Sequence, residues 1–245
     1  MNKPSLERLS FYGILGGLTA LIPVPFLDDW TLDLIRRRLA RELFARHGVP
    51  LSREARAVLT AKGPWAVSGC LYQAFFVLVL VPVKILTFFF KRLARTLLFF
   101  LALKQATDRA SEVFHEGYLL ESALRRELID APAETEVVAR VMNAIRQTVL
   151  EVDTSPVKSI FRRVLKLNRS SLSQAAAVLG RLAKRSRRVE NPNGEGIGLE
   201  EEERILSRLI SATGDLLSGE LDYLRSLEER FVAGVVVRES GGSGS

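Results

Sequence analysis

The chain has 245 residues, 47% of them hydrophobic and 26% charged, enough for a folded core and too apolar for a disordered polymer. Its net charge of +7 directs the search for partners to anionic ones: phospholipid headgroups, nucleic acid or an acidic protein face. A single cysteine, Cys70, excludes an internal disulfide framework and fits a reducing compartment.

Strand signals are nearly absent, while apolar residues recur at three- and four-residue spacing, so the predicted fold class is all-α: a multi-helix, membrane-associated protein with apolar re-entrant or interfacial helices and a soluble helical region. Two uncharged apolar segments, Leu9 to Leu27 and Gly63 to Val83, each approach the roughly 20 residues that cross a bilayer. Neither is a clean span. Gly13, Gly16, Gly17, Pro23 and Pro25 loosen and then break the first, and Lys84, Lys91, Arg92 and Arg95 follow the second. The loop between them carries Arg36, Arg37, Arg38, Arg41, Arg46, Arg53, Arg56 and Lys62, and a short loop so rich in Arg stays cytoplasmic. Both segments are therefore expected to enter and leave on one side. The membrane-inserting set is Leu15, Leu18 and Leu21 in the first, and Phe75, Phe76, Leu78, Leu80, Phe88 and Phe89 in and after the second.

Between these segments a helix is predicted from about Thr31 to His47, with Asp28, Asp29 and Asp33 at its start and Gly48 as C-cap. The three aspartates are explained by helix capping, or by a carboxylate site. His47 suits a helix C-terminus. Ser52 opens a short helix that Lys62, Gly63 and Pro64 close. The second apolar segment continues past Pro82, a kink, to Leu103. From Lys104 the pattern becomes amphipathic, with Ala106, Ala110, Val113, Phe114, Gly117, Leu120 and Leu124 on one face. Pro132 interrupts it, Glu134 to Val152 forms another helix, and Ser155 and Pro156 supply the N-cap and first position of the next.

Ser155 to Val189 holds ten basic residues and no acidic one. Its start alternates Val157, Ile160, Phe161, Val164, Leu165 and Leu167 with Lys158, Arg162, Arg163 and Lys166. Such a helix can lie on an anionic membrane, or pack its apolar face on the protein's own core and leave its cations in water. The lipid-binding candidates are Lys158, Arg162, Arg163, Lys166 and Arg169, with Lys91, Arg92 and Arg95. Asn191 to Gly198 is a linker. Beyond it, Glu195 to Arg230 sets ten acids against four arginines, with Ile205, Leu209, Leu216, Leu217, Leu221, Leu224 and Phe231 as an apolar stripe. This acidic helix is expected to dock on a basic helix of its own chain or a neighbour's. The organisation is then a membrane-associated region over 1–103, a basic helical region over 104–190, the linker 191–198, an acidic helix and tail over 199–240, and an appended linker over 241–245. Nothing at the N-terminus has the form of a secretory signal.

Motifs for catalysis are lacking. The run Gly13-Ile-Leu-Gly16-Gly17 has no Walker spacing and is explained by close helix packing. Two histidines on separate helices cannot make a zinc site without carboxylates at spacings the sequence does not supply, and His115 beside Glu116 is expected to be a surface or half-buried residue. Cys70 in a lipid-grade run is a poor nucleophile. No catalytic residue, cofactor or metal is assigned, and nucleic acid is not expected, because aromatic interleaving of the basic stretch stops at Phe161.

The stretch Ile22-Pro23-Val24-Pro25-Phe26-Leu27-Asp28, the arginine-rich helix ending at Gly48, and Leu51-Ser52-Arg53-Glu54-Ala55 resemble the EcsC-like proteins and the uncharacterised domain appended to some Era-like GTPases. The likeness covers roughly residues 13 to 62; the chain has no GTPase domain and fills its second apolar segment with Phe and Leu where that family has glycine. The resemblance implies a bacterial origin and membrane association, and it carries no catalytic residue. The expectation is a lipid-binding scaffold on the cytoplasmic face of the inner membrane, with anionic lipids, a homo-oligomer and a protein partner as its associations. Two alternatives stay open: an oligomeric membrane-remodelling or pore-forming protein, and a soluble helical enzyme or carrier of an apolar ligand.

Overall fold

The computed structural model describes residues 3–21, 27–60, 100–167 and 200–241, and among them the chain is all-helical, with no strand. The helices are α1 (Lys3–Thr19), α2 (Leu27–Arg46), α3 (Arg53–Thr60), α4 (100–125), α5 (Thr135–Glu151), α6 (Ser155–Leu167), α7 (Glu200–Ser218) and α8 (Leu221–Gly241). Leu51 and Ala133 add one isolated parallel bridge, which clips the turn before α3 to the turn before α5. No helix among the described residues is long and apolar enough to cross a membrane.

The centre is α4. The face predicted from its spacing is buried as expected, and the opposite side is buried too, including Ser111, His115, Leu119, Ser122 and Ala123. An amphipathic pattern describes a helix with one wet side; a helix surrounded by others needs small or apolar residues all round. α1 lies along α4 at glycine contact. A Cβ added to Gly17 would stand 2.7 Å from the Ala106 carbonyl oxygen, and one at Gly16 would stand 2.8 Å from Val113. On the other helix a Cβ added to Gly117 would stand 2.9 Å from both Leu9 and Leu39, so α1, α2 and α4 converge there. The glycine run is thus a packing surface, as its sequence context suggested.

This placement revises the first apolar segment. The helix starts six residues before Leu9, at Lys3, and Leu6, Leu9, Tyr12, Ile14 and Leu18 sit in the protein's own core. Of the residues expected to insert in lipid, Leu18 is 1% exposed, and Leu15 and Leu21 are partly buried against the same core. Core and bilayer impose the same demand for apolar side chains on every face, so hydropathy could not separate them. The candidates Phe75, Phe76, Leu78, Leu80, Phe88 and Phe89 lie outside the described residues, as does Cys70.

Helix ends follow local rules. Gly48 adopts φ +67°, and the Val49 and Gly48 amides donate to the carbonyls of Phe44 and Ala45, a Schellman stop. Ser52 Oγ accepts the Ala55 N–H at 2.9 Å as the N-cap of α3. α4 ends in the same Schellman pattern, from Leu128 to Ala123 and from Glu127 to Leu124, but with Glu127 at φ 55° where glycine is the usual residue. At the start of α6 the Thr154 carbonyl takes the first helical bond, so Ser155 is the first helical residue and not the cap. The expected single acidic helix is two. Gly219 and Glu220 turn back on Leu216 and Leu217, ending α7, and the Glu220 carbonyl accepts the Leu224 N–H to start α8.

α7 packs against α1 and α6, and α8 against α5, so the acidic region closes onto the rest of its own chain. Leu209, Leu217, Leu224, Leu227, Phe231 and Val235 join the core, while Leu221, expected in the stripe, is 44% exposed at the start of α8. Among the described residues the acids pair away from the expected basic helix: Asp215 bonds Lys3 of α1 at 2.6 Å, and Glu228 bonds Arg125, the last residue of α4, and Arg126 just beyond it at 2.6 and 2.7 Å.

Substitution of Gly17 by Ala should lower stability by about 1–3 kcal/mol, because the new methyl meets backbone that cannot rotate away. Glu127→Gly should raise it by roughly 0.5–1 kcal/mol, the left-handed penalty less glycine's extra unfolded-state entropy. Urea midpoints at unchanged slope check both; a neutral Gly17→Ala would show that α1 is not held at glycine contact.

Candidate functional site

Three buried polar clusters tie other helices to α4. Arg109 donates to Asp28 at 3.0 Å, to Asp29 at 2.8 Å and to Thr19 Oγ1 at 3.0 Å, joining the end of α1 and the first turn of α2. The aspartates read as capping residues therefore also form a tertiary ion pair, with Arg109 and Asp28 side chains 12% and 11% exposed. Arg36 of α2 bonds Glu112 at 2.6 Å and Glu116 at 3.0 Å. Burial pushes the Glu116 carboxyl up and Glu112 adds to this, against the stabilising charge of Arg36. Arg36 and Glu116 line a cleft together with Leu39, Leu59, Leu120 and Met142.

The third cluster contains His115, which is fully buried and not the surface or half-buried residue that its neighbour Glu116 suggested. Its Nδ1 lies 2.6 Å from the Ser111 carbonyl, which can only accept, so Nδ1 carries the proton and Nε2 accepts the Tyr223 O–H at 2.8 Å. Burial, with Lys158 nearby, holds the imidazole down at about 4 despite the Ser111 hydrogen bond. Ser111 Oγ is 3.2 Å from Nδ1, but both residues are sealed from solvent, so the trio is a bolt between α4 and α8 and offers no open nucleophile. One turn on, Glu228 is buried, which opposes its ionisation; hydrogen bonds from Arg126, Ser122 and Arg125 prevail and hold its carboxyl at about 2. Among the described residues no group of three or more His, Cys, Asp or Glu is placed to hold a metal.

The outward-facing candidates are cationic. On α6, Val157, Ile160, Phe161, Val164 and Leu165 pack into the core, with the Phe161 ring 6.0 Å from that of Phe114, so the apolar face is used within the protein. Leu167, counted with that face, is 76% exposed. Lys158 is half-buried and bonds Asp108 of α4 at 3.1 Å, which removes it from the set available to lipid. Arg162, Arg163 and Lys166 face outward together. Arg169, Lys91, Arg92 and Arg95 lie outside the described residues. On α2, Arg37, Arg38, Arg41 and Arg46 are exposed as well, on the helix that sequence reasoning used only as a sign of orientation. Exposed apolar side chains gather at the start of α4, where Phe100 and Leu101 are 57% and 47% exposed. Compared with protein-family models, with curated proteins and with solved structures, the chain matches none.

The buried acid–base groups make the fold acid-labile, with a sign that can be worked out. His115 stays neutral in the fold but takes a proton below its ordinary 6.5 once unfolded, so stability falls as pH falls from 6.5 to about 4. Glu228 is ionised in the fold but protonates from its ordinary 4.5 when unfolded, so its contribution is present above that value and lost as pH falls to about 2. Urea midpoints measured across pH should decline through both windows. His115→Gln should flatten the upper window and Glu228→Gln the lower; an unchanged profile in either variant would show that the group does not titrate with folding.

Proposed function

We propose that this chain is a peripheral or monotopic membrane-binding scaffold on the cytoplasmic face of a bacterial inner membrane, working by lipid binding and by self-association or partner recruitment. The observation that carries the reading is the exposure of Phe100 and Leu101 at the start of α4. They directly follow the stretch from Gly63 to Phe99, which holds the uncharged apolar segment Gly63 to Val83 and the aromatic run Phe88 to Phe90. Two large exposed apolar side chains that follow such a stretch in sequence form a surface suited to an apolar medium. Because α1 is committed to the core, attachment rests on the second apolar segment and not on both. The helical body then supplies an outward surface rich in Arg and Lys beside the point of attachment, suited to anionic headgroups.

Flotation with liposomes tests this. The intact chain should float with phosphatidylcholine vesicles. Phe100→Glu with Leu101→Glu should reduce binding at least tenfold, since each apolar side chain withdrawn from water contributes about 1.5–3 kcal/mol. Circular dichroism should show the helical body intact in the variant, because both positions are exposed. A protein that stays monodisperse without detergent and fails to float would sink the reading and favour a soluble carrier.

A further inference from the structure

The arginines of α2 form a continuous outward stripe. Leu34, Arg37, Arg38, Arg41 and Ala45 recur at three- and four-residue spacing, all are exposed, and Arg46 flanks them in the last turn. From Leu34 to Arg46 the stripe runs about 18 Å at the helical rise per residue. Of the acids of α2, Asp33 is half-buried one turn before Arg37 at the edge of the stripe, and the other three are engaged away from it. Asp28 and Asp29 bond Arg109, and Glu42 is engaged by Arg8 at 3.2 Å and by the Tyr12 hydroxyl at 2.5 Å. Arg38 also reaches the Tyr12 hydroxyl, whereas Arg37, Arg41 and Arg46 project from the surface. The fold therefore concentrates guanidinium groups on one face of one helix and withdraws the carboxylates to its sides.

We infer that this stripe is a phosphate-binding surface for anionic lipid headgroups and sets the lipid preference of the protein. The inference rests on the attachment proposed above, and it commits to lipid because of where the apolar segment is anchored. Both of its ends are tied to α2. α3, which precedes it, packs on α2, with Leu59 in the same cleft as Arg36, Leu39 and Ala40. α4, which follows it, is fastened to the first turn of α2 through Arg109 and Asp28, and Phe100 lies nine residues, about 14 Å of helix, before that bond. An apolar segment inserted in a leaflet would bring the flank of α2 to the headgroups. Guanidinium groups suit that layer, since each can take phosphate oxygens in bidentate fashion. The stripe carries an exposed leucine, with the half-buried Trp30 one turn before it, and a single ring is not the row of stacking rings used by single-strand nucleic-acid binders.

The test is flotation with two kinds of vesicle, phosphatidylcholine alone and phosphatidylcholine mixed with phosphatidylglycerol. Each basic residue near an anionic leaflet is worth about fivefold in binding, so Arg37→Gln with Arg41→Gln should weaken binding to the mixed vesicles about 25-fold. Binding to phosphatidylcholine should not change, and high salt should erase the difference between parent and variant. Arg162→Gln with Arg163→Gln on α6 is the comparison and should have the smaller effect. If the α2 variant binds mixed vesicles as the parent does while Phe100→Glu with Leu101→Glu fails on both, the stripe assignment is wrong and the attachment stands. A parent that floats with neither vesicle overturns both. Loss that follows the α6 variant instead moves the site to α6 and overturns the assignment. So does tighter binding of the parent to duplex DNA than to vesicles, lost in the α2 variant.

Discussion

The burial of α4, on one face along its first half and on every side from Gly117 to Leu124, is the constraint from which the rest of the structure follows. The buried faces are built mostly from small and apolar residues, and a helix with such faces is not stable in water until neighbours cover them. α1 covers it at glycine contact through Gly13, Gly16 and Gly17, which lets the backbones approach closely enough for Ala106 and Ala110 to be buried against them. α2 reaches α4 through Leu39 over Gly117, and α6 reaches it through Phe161 against Phe114. Each glycine contact depends on the absence of bulk at one partner. Packing of that kind fixes register, because a shift by one residue replaces a glycine with a side chain.

Apolar packing alone would leave the order of helices around α4 weakly specified, and the polar clusters supply the choice. Arg109 accepts only a partner with carboxylates at its start, which α2 provides in Asp28 and Asp29. Arg36, about halfway along α2, meets Glu112 and Glu116 one turn apart on α4, so the two helices are keyed at two points along their length. α8 is keyed in the same way, by Tyr223 to His115 and by Glu228 to Arg125 and Arg126. Such bonds contribute little net free energy compared with an apolar substitute, but a misplaced helix would leave a buried charge without its partner, at a cost of about 3–5 kcal/mol. That asymmetry selects one arrangement.

The helices were largely legible where local chemistry decides them. Gly48 as a left-handed stop, Ser52 as a cap and the bounds of α5 all depend on residues within one turn of the feature, and the periodic face of α4 needs only its own sequence. Features that depend on a partner distant in sequence were not legible. Asp28 looks like a capping residue until Arg109, 81 residues away, is brought beside it. His115 looks like a surface or half-buried residue because Glu116 follows it, yet a helix turns adjacent residues 100° apart, and here one faces α8 while the other faces α2. For α1 the ambiguity was physical. A helix without charge over most of its length satisfies lipid and protein interior equally, and only the glycine contacts with α4 distinguish them. The candidate surface shows the same division. The basic residues of α6 were visible as a cluster, but that Lys158 is spent on Asp108, and that α2 turns its arginines outward, required the packing of α4 to be known.

The distribution of charge then acquires a physical order. Seven acidic residues of α2, α4, α7 and α8 are drawn inward or onto basic neighbours: Asp28 and Asp29 to Arg109, Glu42 to Arg8, Glu112 and Glu116 to Arg36, Asp215 to Lys3, and Glu228 to Arg125 and Arg126. Each pairing uses a carboxylate that would otherwise offset a surface cation, so part of the +7 excess of the chain is expressed as patches and not as a uniform coat. Two such patches are the outer face of α2 and the outer face of α6, each on a helix whose other side is held against α4. A field from fixed cations on rigid helices acts on an anionic surface without the loss of side-chain and backbone freedom that a disordered basic tail would undergo. The same core that removed α1 from the membrane reading therefore creates, on its outside, a basic surface suited to meet one.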